Sequence, residues 1–432
     1  MKHTITVIGA GFSGALTALN LLQRPESVSV TLVDSRGTFG PGLAYTVPSD
    51  RFKLNVRARA MGAFYQDPEG FLRWLQAQEP SHSGDDFVSR GRYGRYLEEL
   101  VASAARRHPE SLRLVSGEVV DLSGRGGEEG FLLTLADSTQ FRSRTCVLAL
   151  GNLPRQSLGG LDTRVLRDPY RPESYQDMPD LEHLFVLGSS LTGVDAILEA
   201  EGRGFQGRYT VLSRHGRLPL AHEDPARLPA AHLPAGWEES GEVRGLLRLV
   251  RQESRRCGSS QPVLEAMRPL TQRMWRALPE EQRRLFLRHL RPHWEIHRHR
   301  IPSQHLACLR KLQASGRLRL VAGRLEHLEA GAARVQRRAG PPEPLSFDAG
   351  FLCAGPEGDL SKVQHPLVRS LLAQGLLQSG PMGLGVHPAR GSGAPGLHVI
   401  GPMEREALWE VTAVRELRER ARDLARTLLD EG

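Results

Sequence analysis

Three glycines and one carboxylate set the first chemical expectation. Gly9, Gly11 and Gly14 form a G-x-G-x-x-G run, and Asp34 follows it at the end of an apolar segment, about 20 residues on. Gly9 permits a tight turn, Gly11 lets backbone approach a pyrophosphate, and Gly14 allows close helix–strand packing. A helix starting there adds amide donors and the positive end of its dipole. A carboxylate at Asp34 can accept both hydroxyls of an adenosine ribose. The set reads as a dinucleotide site, with FAD the expected occupant; the alternative is a glycine-rich turn without ligand.

An altered copy follows. Residues 188–193 read Gly-Ser-Ser-Leu-Thr-Gly, with Gly188, Ser189 and Thr192 flanking a Ser190 that replaces the middle glycine. The strand-end residue is Arg214, where an acid would repel a 2′-phosphate and a guanidinium binds one bidentately. This copy points to NADPH, with NADH as the alternative cofactor and a plain surface arginine as the alternative role for Arg214.

Other polar groups cluster elsewhere. The loop 40–45, with Gly42, Ala44 and Tyr45, and the following Asn55 could wrap a pyrophosphate and reach a redox ring; the alternative is a plain loop without ligand contact. Glu410, Val411 and Thr412 sit just past the strand ending at Gly401, near a helix expected to run from about 408 to 429, whose amides could face the electron-rich edge of a flavin. His297, Arg298, His299 and Arg300 precede Ile301-Pro302. They read as an anion-recognising cluster near the substrate or the nicotinamide, with a salt-bridged helix end as the alternative. No third ligand stands at a helical metal spacing, so no metal is expected. No Ser/His/Asp or Cys/His nucleophile spacing is evident. The chemistry is therefore assigned to a cofactor, and no catalytic residue is named.

Positioning these groups requires two β-α-β units. Thr4 opens an apolar strand into the first glycine turn, 15–23 has helical spacing, and Val28–Asp34 is a second strand. Residues 183–188, 194–201 and 209–213 repeat the order. The strands 145–151 and 349–355 each end in glycine and return the chain between domains. The expected fold is α/β: two Rossmann-like domains, with 1–160 and 351–432 binding FAD and 161–350 binding NAD(P)H. Within the latter, a helical insertion at about 240–300, read as three Arg-rich helices over 243–294, covers the cleft.

The 432 residues exceed a single core, which stops growing near about 300 residues. Lysine occurs only at Lys2, Lys53, Lys311 and Lys362, so nearly all of the 57 basic residues are arginine. The net charge of +8 comes from arginines interleaved with acids, without the aromatic-spaced basic blocks of a nucleic-acid binder. No apolar run reaches the roughly 20 residues of a membrane span, and no secretory leader is evident, so a cytoplasmic enzyme is expected, with a homodimer left open. Four cysteines without a CxxC pair argue against a disulfide reductase.

The segments 9–14, 40–45, 54–56, Tyr93-Gly-Arg-Tyr96, 148–152, 188–195, 212–219, 297–300 and 408–418 together resemble the bacterial FAD/NAD(P)-binding oxidoreductases, a group that includes FAD-dependent urate hydroxylase and nitrosuccinate synthase. The resemblance runs from the first strand to the last helix. It implies a flavin monooxygenase-like fold in which NAD(P)H reduces FAD and a flavin hydroperoxide, formed with O₂, hydroxylates a small polar substrate at carbon or nitrogen. The alternative is an NAD(P)H-dependent flavin reductase passing electrons to a partner; a third reading is a binding protein with structural FAD. On fingerprint and resemblance together, the expected FAD contacts are Gly9, Gly11, Phe12, Ser13, Gly14, Asp34 and Ser35 at the first turn. Gly42, Ala44, Tyr45, Asn55 and Val120 follow, then Gly151, Asn152, Gly401, Glu410, Val411 and Thr412. Glu406 departs from the pattern, standing where this group usually has glycine.

Overall fold

The computed structural model describes residues 2–47, 49–387 and 393–431. They form two compact units, one of Met1–Asp50, Val56–Pro154 and Pro356–Gly432, the other of Arg51–Asn55 and Arg155–Gly355.

The first unit is built on five parallel strands in the order Leu397–Val399, Thr145–Leu148, His3–Ile8, Val28–Asp34, Leu112–Ser116. Every residue of Thr145–Leu148 is buried, as expected of a parallel strand covered on both faces. The helix Phe12–Leu21 joins the first two strands in sequence and buries all of its residues but one. It packs against the last helix, Val414–Asp430. A small antiparallel sheet, Val119–Gly124, Phe131–Leu135 and Gln140–Ser143, lies over a core shared with the helix Pro366–Ala373. Leu122, Phe131, Leu148, Leu367 and Leu371 fill it, each contributing about 1.5–3 kcal/mol by burial.

The second unit carries six strands: Pro342–Ser346, Ala332–Arg337, Leu318–Glu329, Arg208–Ser213, His183–Leu187 and Ala349–Leu352. The last four are parallel, so their carboxyl ends share one edge. The helix Leu191–Gly202 links His183–Leu187 to Arg208–Ser213. Both units thus contain the β-α-β order that sequence periodicity indicates, and the fold is α/β with Rossmann-like parallel sheets.

Two elements differ from expectation. The insertion is not three helices but five, Val243–Cys257, Gln261–Met267, Thr271–Ala277, Glu280–Leu285 and Arg291–Arg298, with a π-helical turn at Phe286–Leu290. The cause is backbone chemistry: Gly258 caps the first helix in the left-handed region, and Pro269, Pro279 and Pro292 each remove an amide donor at a junction. The last helix begins at Val414 and not near 408, because Glu410 has φ of 69° and Ala413 is extended. Among the described residues no helix is long and apolar enough to cross a membrane.

Candidate dinucleotide-binding sites

The first glycine turn has no room for side chains. Gly9 lies at φ 101°, and a Cβ there would stand 2.4 Å from the Ala149 carbonyl oxygen. A Cβ on Gly14 would meet the Gly9 carbonyl, and one on Gly11 would stand 3.3 Å from Gly42 Cα. The turn is therefore pressed against both the neighbouring strand and the 40–45 segment, which folds as a short helical turn, Gly42–Tyr45. No side chain caps the N-terminus of Phe12–Leu21, so its first amides stay available to an anion.

Asp34 is buried, and its carboxylate stiffens the same turn. Oδ2 accepts from the Ala10 amide at 3.1 Å and Oδ1 from the Arg36 amide at 2.9 Å, which leaves lone pairs for further donors. The Phe12, Tyr45 and Tyr93 rings meet beside the turn, with Tyr45 and Tyr93 centroids 4.8 Å apart. Tyr93 is wholly buried and its hydroxyl has no hydrogen-bond partner among the described residues. Burial holds that phenol well above its ordinary value. A turn with glycine at each of its close backbone approaches, an uncapped helix start, a buried acid at the strand end and an orphaned hydroxyl fit the adenosine diphosphate half of FAD.

The remaining predicted contacts divide. Ser13 sits 2.9 Å from where a Gly401 Cβ would stand, so the last strand's exit closes on the helix start. Gly151 has φ of 66° and open space beside it. With Asn152, Leu153, Gly385 and Pro402 it lines a shallow depression open to solvent. Ser35 is exposed in the turn after Asp34. Val120 falls at the register shift between Val119 and Asp121. Val411 is buried and Thr412 half-buried, just before the last helix. Asn55 groups with the second unit, where its carbonyl meets His222 Nε2 at 2.9 Å.

The second turn repeats the geometry with serine in the middle. Gly188 lies at φ 119°, and a Cβ on it would strike the Cys353 carbonyl. Ser190 is the exposed, extended N-cap of Leu191–Gly202, which no side chain caps. The neighbouring hydroxyls are engaged: Ser189 Oγ donates to the Arg217 carbonyl at 2.5 Å, and Thr192 Oγ1 meets the Tyr170 hydroxyl at 3.2 Å. Arg214 is exposed yet surrounded. Burial and then repulsion from Arg291, with Arg155 and Arg324 behind it, hold its guanidinium below the ordinary value against one attraction, from Glu295.

The 297–300 cluster is brought together as a network within the unit. Arg300 is buried, and its guanidinium donates to the Ala221 carbonyl at 2.8 Å, Glu223 at 3.2 Å and Ser260 Oγ at 3.1 Å. His297 Nδ1 meets Ser260 Oγ at 2.7 Å, and burial followed by Arg300 lowers its pKa. Arg298 is half-buried on the same helix. Arg300 thus ties the segment after Leu220 to the insertion. No group of described residues could hold a metal ion. All four cysteines are free, and the buried thiols of Cys146 and Cys353 are pushed well above their ordinary value by burial.

Sequence spacing overlooked Arg155, Arg291 and Arg324, which lie far from Arg214 in the chain. It noted Glu406 only as a departure. The structure shows that carboxylate fully buried, accepting from the Met382 and Leu384 amides at 2.9 and 3.1 Å, against Gly380, where a Cβ would collide with it.

Residues 6–153 match a family model described as FAD-NAD(P)-binding. No curated protein matches the chain in sequence. Among solved structures, L-lysine 6-monooxygenase from Pseudomonas syringae is similar over 100% of this chain and 99% of its own, with TM-score 0.64 and 16% identity. An ornithine N-hydroxylase from Kutzneria sp. 744, solved with reduced FAD, NADP⁺ and L-ornithine, is similar over 100% and 99%, with TM-score 0.63 and 12% identity. The bacillithiol disulfide reductase of Bacillus cereus is similar over 100% of both chains, with TM-score 0.56 and 14% identity. At these identities the likeness is one of fold, the two-dinucleotide fold of flavin monooxygenases and reductases.

Proposed function

We propose that the chain is an FAD-dependent, NAD(P)H-consuming monooxygenase that hydroxylates a small polar substrate. The observation that carries this reading is the pair of glycine turns, each at an uncapped helix start on the carboxyl edge of the parallel strands of its own sheet, in a chain that follows the amine hydroxylases' fold throughout. Gly9, Gly11, Gly14 and the first amides of Phe12–Leu21 would hold the FAD pyrophosphate, and Asp34 the adenosine ribose. Gly42–Tyr45, Gly151, Asn152 and 410–412 are the proposed surroundings of the rest of the cofactor. Gly188, Ser190 and Arg214 would hold the nicotinamide cofactor. Bound FAD would supply the two-electron redox chemistry and the reactivity toward O₂. The protein's part is to bind, orient and exclude water. The match to lysine and ornithine hydroxylases supports an amine-bearing substrate. The four unpaired cysteines weigh against disulfide reduction.

The test is electron accounting on the flavin-loaded protein. With a panel of small polar amines and acids, NADPH, O₂ and hydroxylated product should be related one to one to one for at least one substrate. Complete diversion of electrons to hydrogen peroxide across the panel, with rapid reduction of one-electron acceptors, would establish the reductase alternative. A bound flavin that NAD(P)H cannot reduce without oxygen would leave only a structural cofactor.

A further inference from the structure

The carboxyl edge of the second sheet gathers arginines from four separate stretches of chain. Arg214 directly follows the strand Arg208–Ser213. The register Ser213↔Ala322 brings Arg324 to the same edge, two residues further along Leu318–Glu329. Arg155 Nε is held at 3.4 Å from the carbonyl of Gly355, just beyond the strand Ala349–Leu352. Arg291 comes from the insertion, at the first position of the helix Arg291–Arg298.

That helix is tied to the glycine turn. His293 Nδ1 meets Arg217 Nη1 at 2.9 Å, the Leu220 amide donates to the Ile296 carbonyl at 3.1 Å, and the Arg217 carbonyl accepts from Ser189 Oγ at 2.5 Å. The insertion therefore stands beside Gly188 and the uncapped start of Leu191–Gly202. The charge at this edge is one-sided. Arg214 and Arg324 are exposed, and among the described residues neither forms an ion pair. The nearby Glu295 is engaged by Arg291 Nε at 2.7 Å. Converging guanidinium groups repel one another unless an anion sits among them, and their planar forks suit a phosphate more than a lone carboxylate.

We propose that Arg291, carried by the insertion, joins Arg214, Arg155 and Arg324 in one recognition site for the phosphomonoester on the 2′-oxygen of a nicotinamide adenine dinucleotide. The insertion is then part of the cofactor-selecting surface. The inference rests on the nicotinamide-cofactor part of the function proposed above. It explains why the discriminating charge is spread beyond the strand-end residue: three of the four arginines lie outside the β-α-β unit.

Calorimetric titration of the full-length, flavin-loaded protein with 2′,5′-ADP, 5′-AMP and inorganic phosphate tests it without turnover. The expected result is binding of 2′,5′-ADP at least about tenfold tighter than 5′-AMP, with inorganic phosphate weakest, and a preference that shrinks as salt rises. Arg291→Gln should weaken 2′,5′-ADP by about tenfold to a hundredfold, the range of a lost charge-assisted contact, with a much smaller effect on 5′-AMP. Arg291→Lys, which keeps the charge without the fork, should fall between. Arg324→Gln provides a second reading on a different element. Equal affinity for the two nucleotides would overturn the proposal. So would an equal loss for both in Arg291→Gln, or inorganic phosphate competing as well as 2′,5′-ADP. The two readings fail separately: discrimination without hydroxylation leaves this inference standing, whereas NADH-driven hydroxylation without discrimination removes it alone.

Discussion

Asp34 links the fold of the first turn to its chemistry. Its two oxygens already hold the Ala10 and Arg36 amides, so the residue positions the backbone that would cradle a pyrophosphate while keeping acceptor capacity for a ribose. Asp34→Ala leaves both amides without that acceptor and should cost about 1–3 kcal/mol in denaturant unfolding, with loss of flavin from the purified protein. Asp34→Asn, which keeps the shape, should lose less stability and still lose flavin affinity. Full flavin occupancy in both variants would remove Asp34 from the ribose site. Such a residue is legible in sequence because its partners lie within one β-α-β unit. Glu406 was visible only as a departure, since its purpose is to hold the amides of 382 and 384, which no periodicity relates to it.

Among the elements, the first strand of each β-α-β unit begins with a buried histidine. His3 Nε2 meets Thr145 Oγ1 at 2.8 Å and His183 Nε2 meets Thr210 Oγ1 at 2.9 Å, each reaching across to the adjacent parallel strand. Burial is the main cause that lowers both pKa values from 6.5. Arg144 adds to it at His3 and Arg208 at His183, with Glu431 and Asp348 opposing. The folded protein therefore binds fewer protons than the unfolded chain once pH falls below about 6.5, so stability is present above that pH and drains away as it falls through the lowered values. Thermal midpoints measured from about pH 7.5 down to about pH 5 should decline, and a His3→Gln/His183→Gln double variant should decline less steeply. An unchanged slope would assign the acid sensitivity to other groups. The same scale explains the insertion: arginine-rich helical composition was readable, but its division into five helices follows from where Gly258 and the prolines fall.

For the whole molecule, two dinucleotide sites in one chain make stability depend on ligand. A ligand that binds only the folded state at 100 times its Kd adds about 2.7 kcal/mol. Stripping flavin should therefore lower the thermal midpoint, added FAD should restore it, and NADP⁺ should raise it further in the loaded protein. Differential scanning calorimetry of stripped, reloaded and NADP⁺-saturated protein checks this, and a midpoint indifferent to FAD would overturn the cofactor assignment. The net charge of +8, nearly all from arginine, favours such anionic ligands at long range, an effect that added salt should weaken.

The sequence by itself determined the two β-α-β units, their glycine turns and the acid or arginine that ends each second strand. These features arise from hydrophobic periodicity and from backbone conformations that side chains forbid, both of which act over about 30 residues. Only the tertiary structure decided that the 40–45 segment presses on Gly11, that Arg300 is enclosed by Ala221, Glu223 and Ser260, and that Arg155, Arg291 and Arg324 gather around Arg214. Those arrangements join residues from distant parts of the chain, and parallel-strand order and helix docking, not local spacing, bring them together.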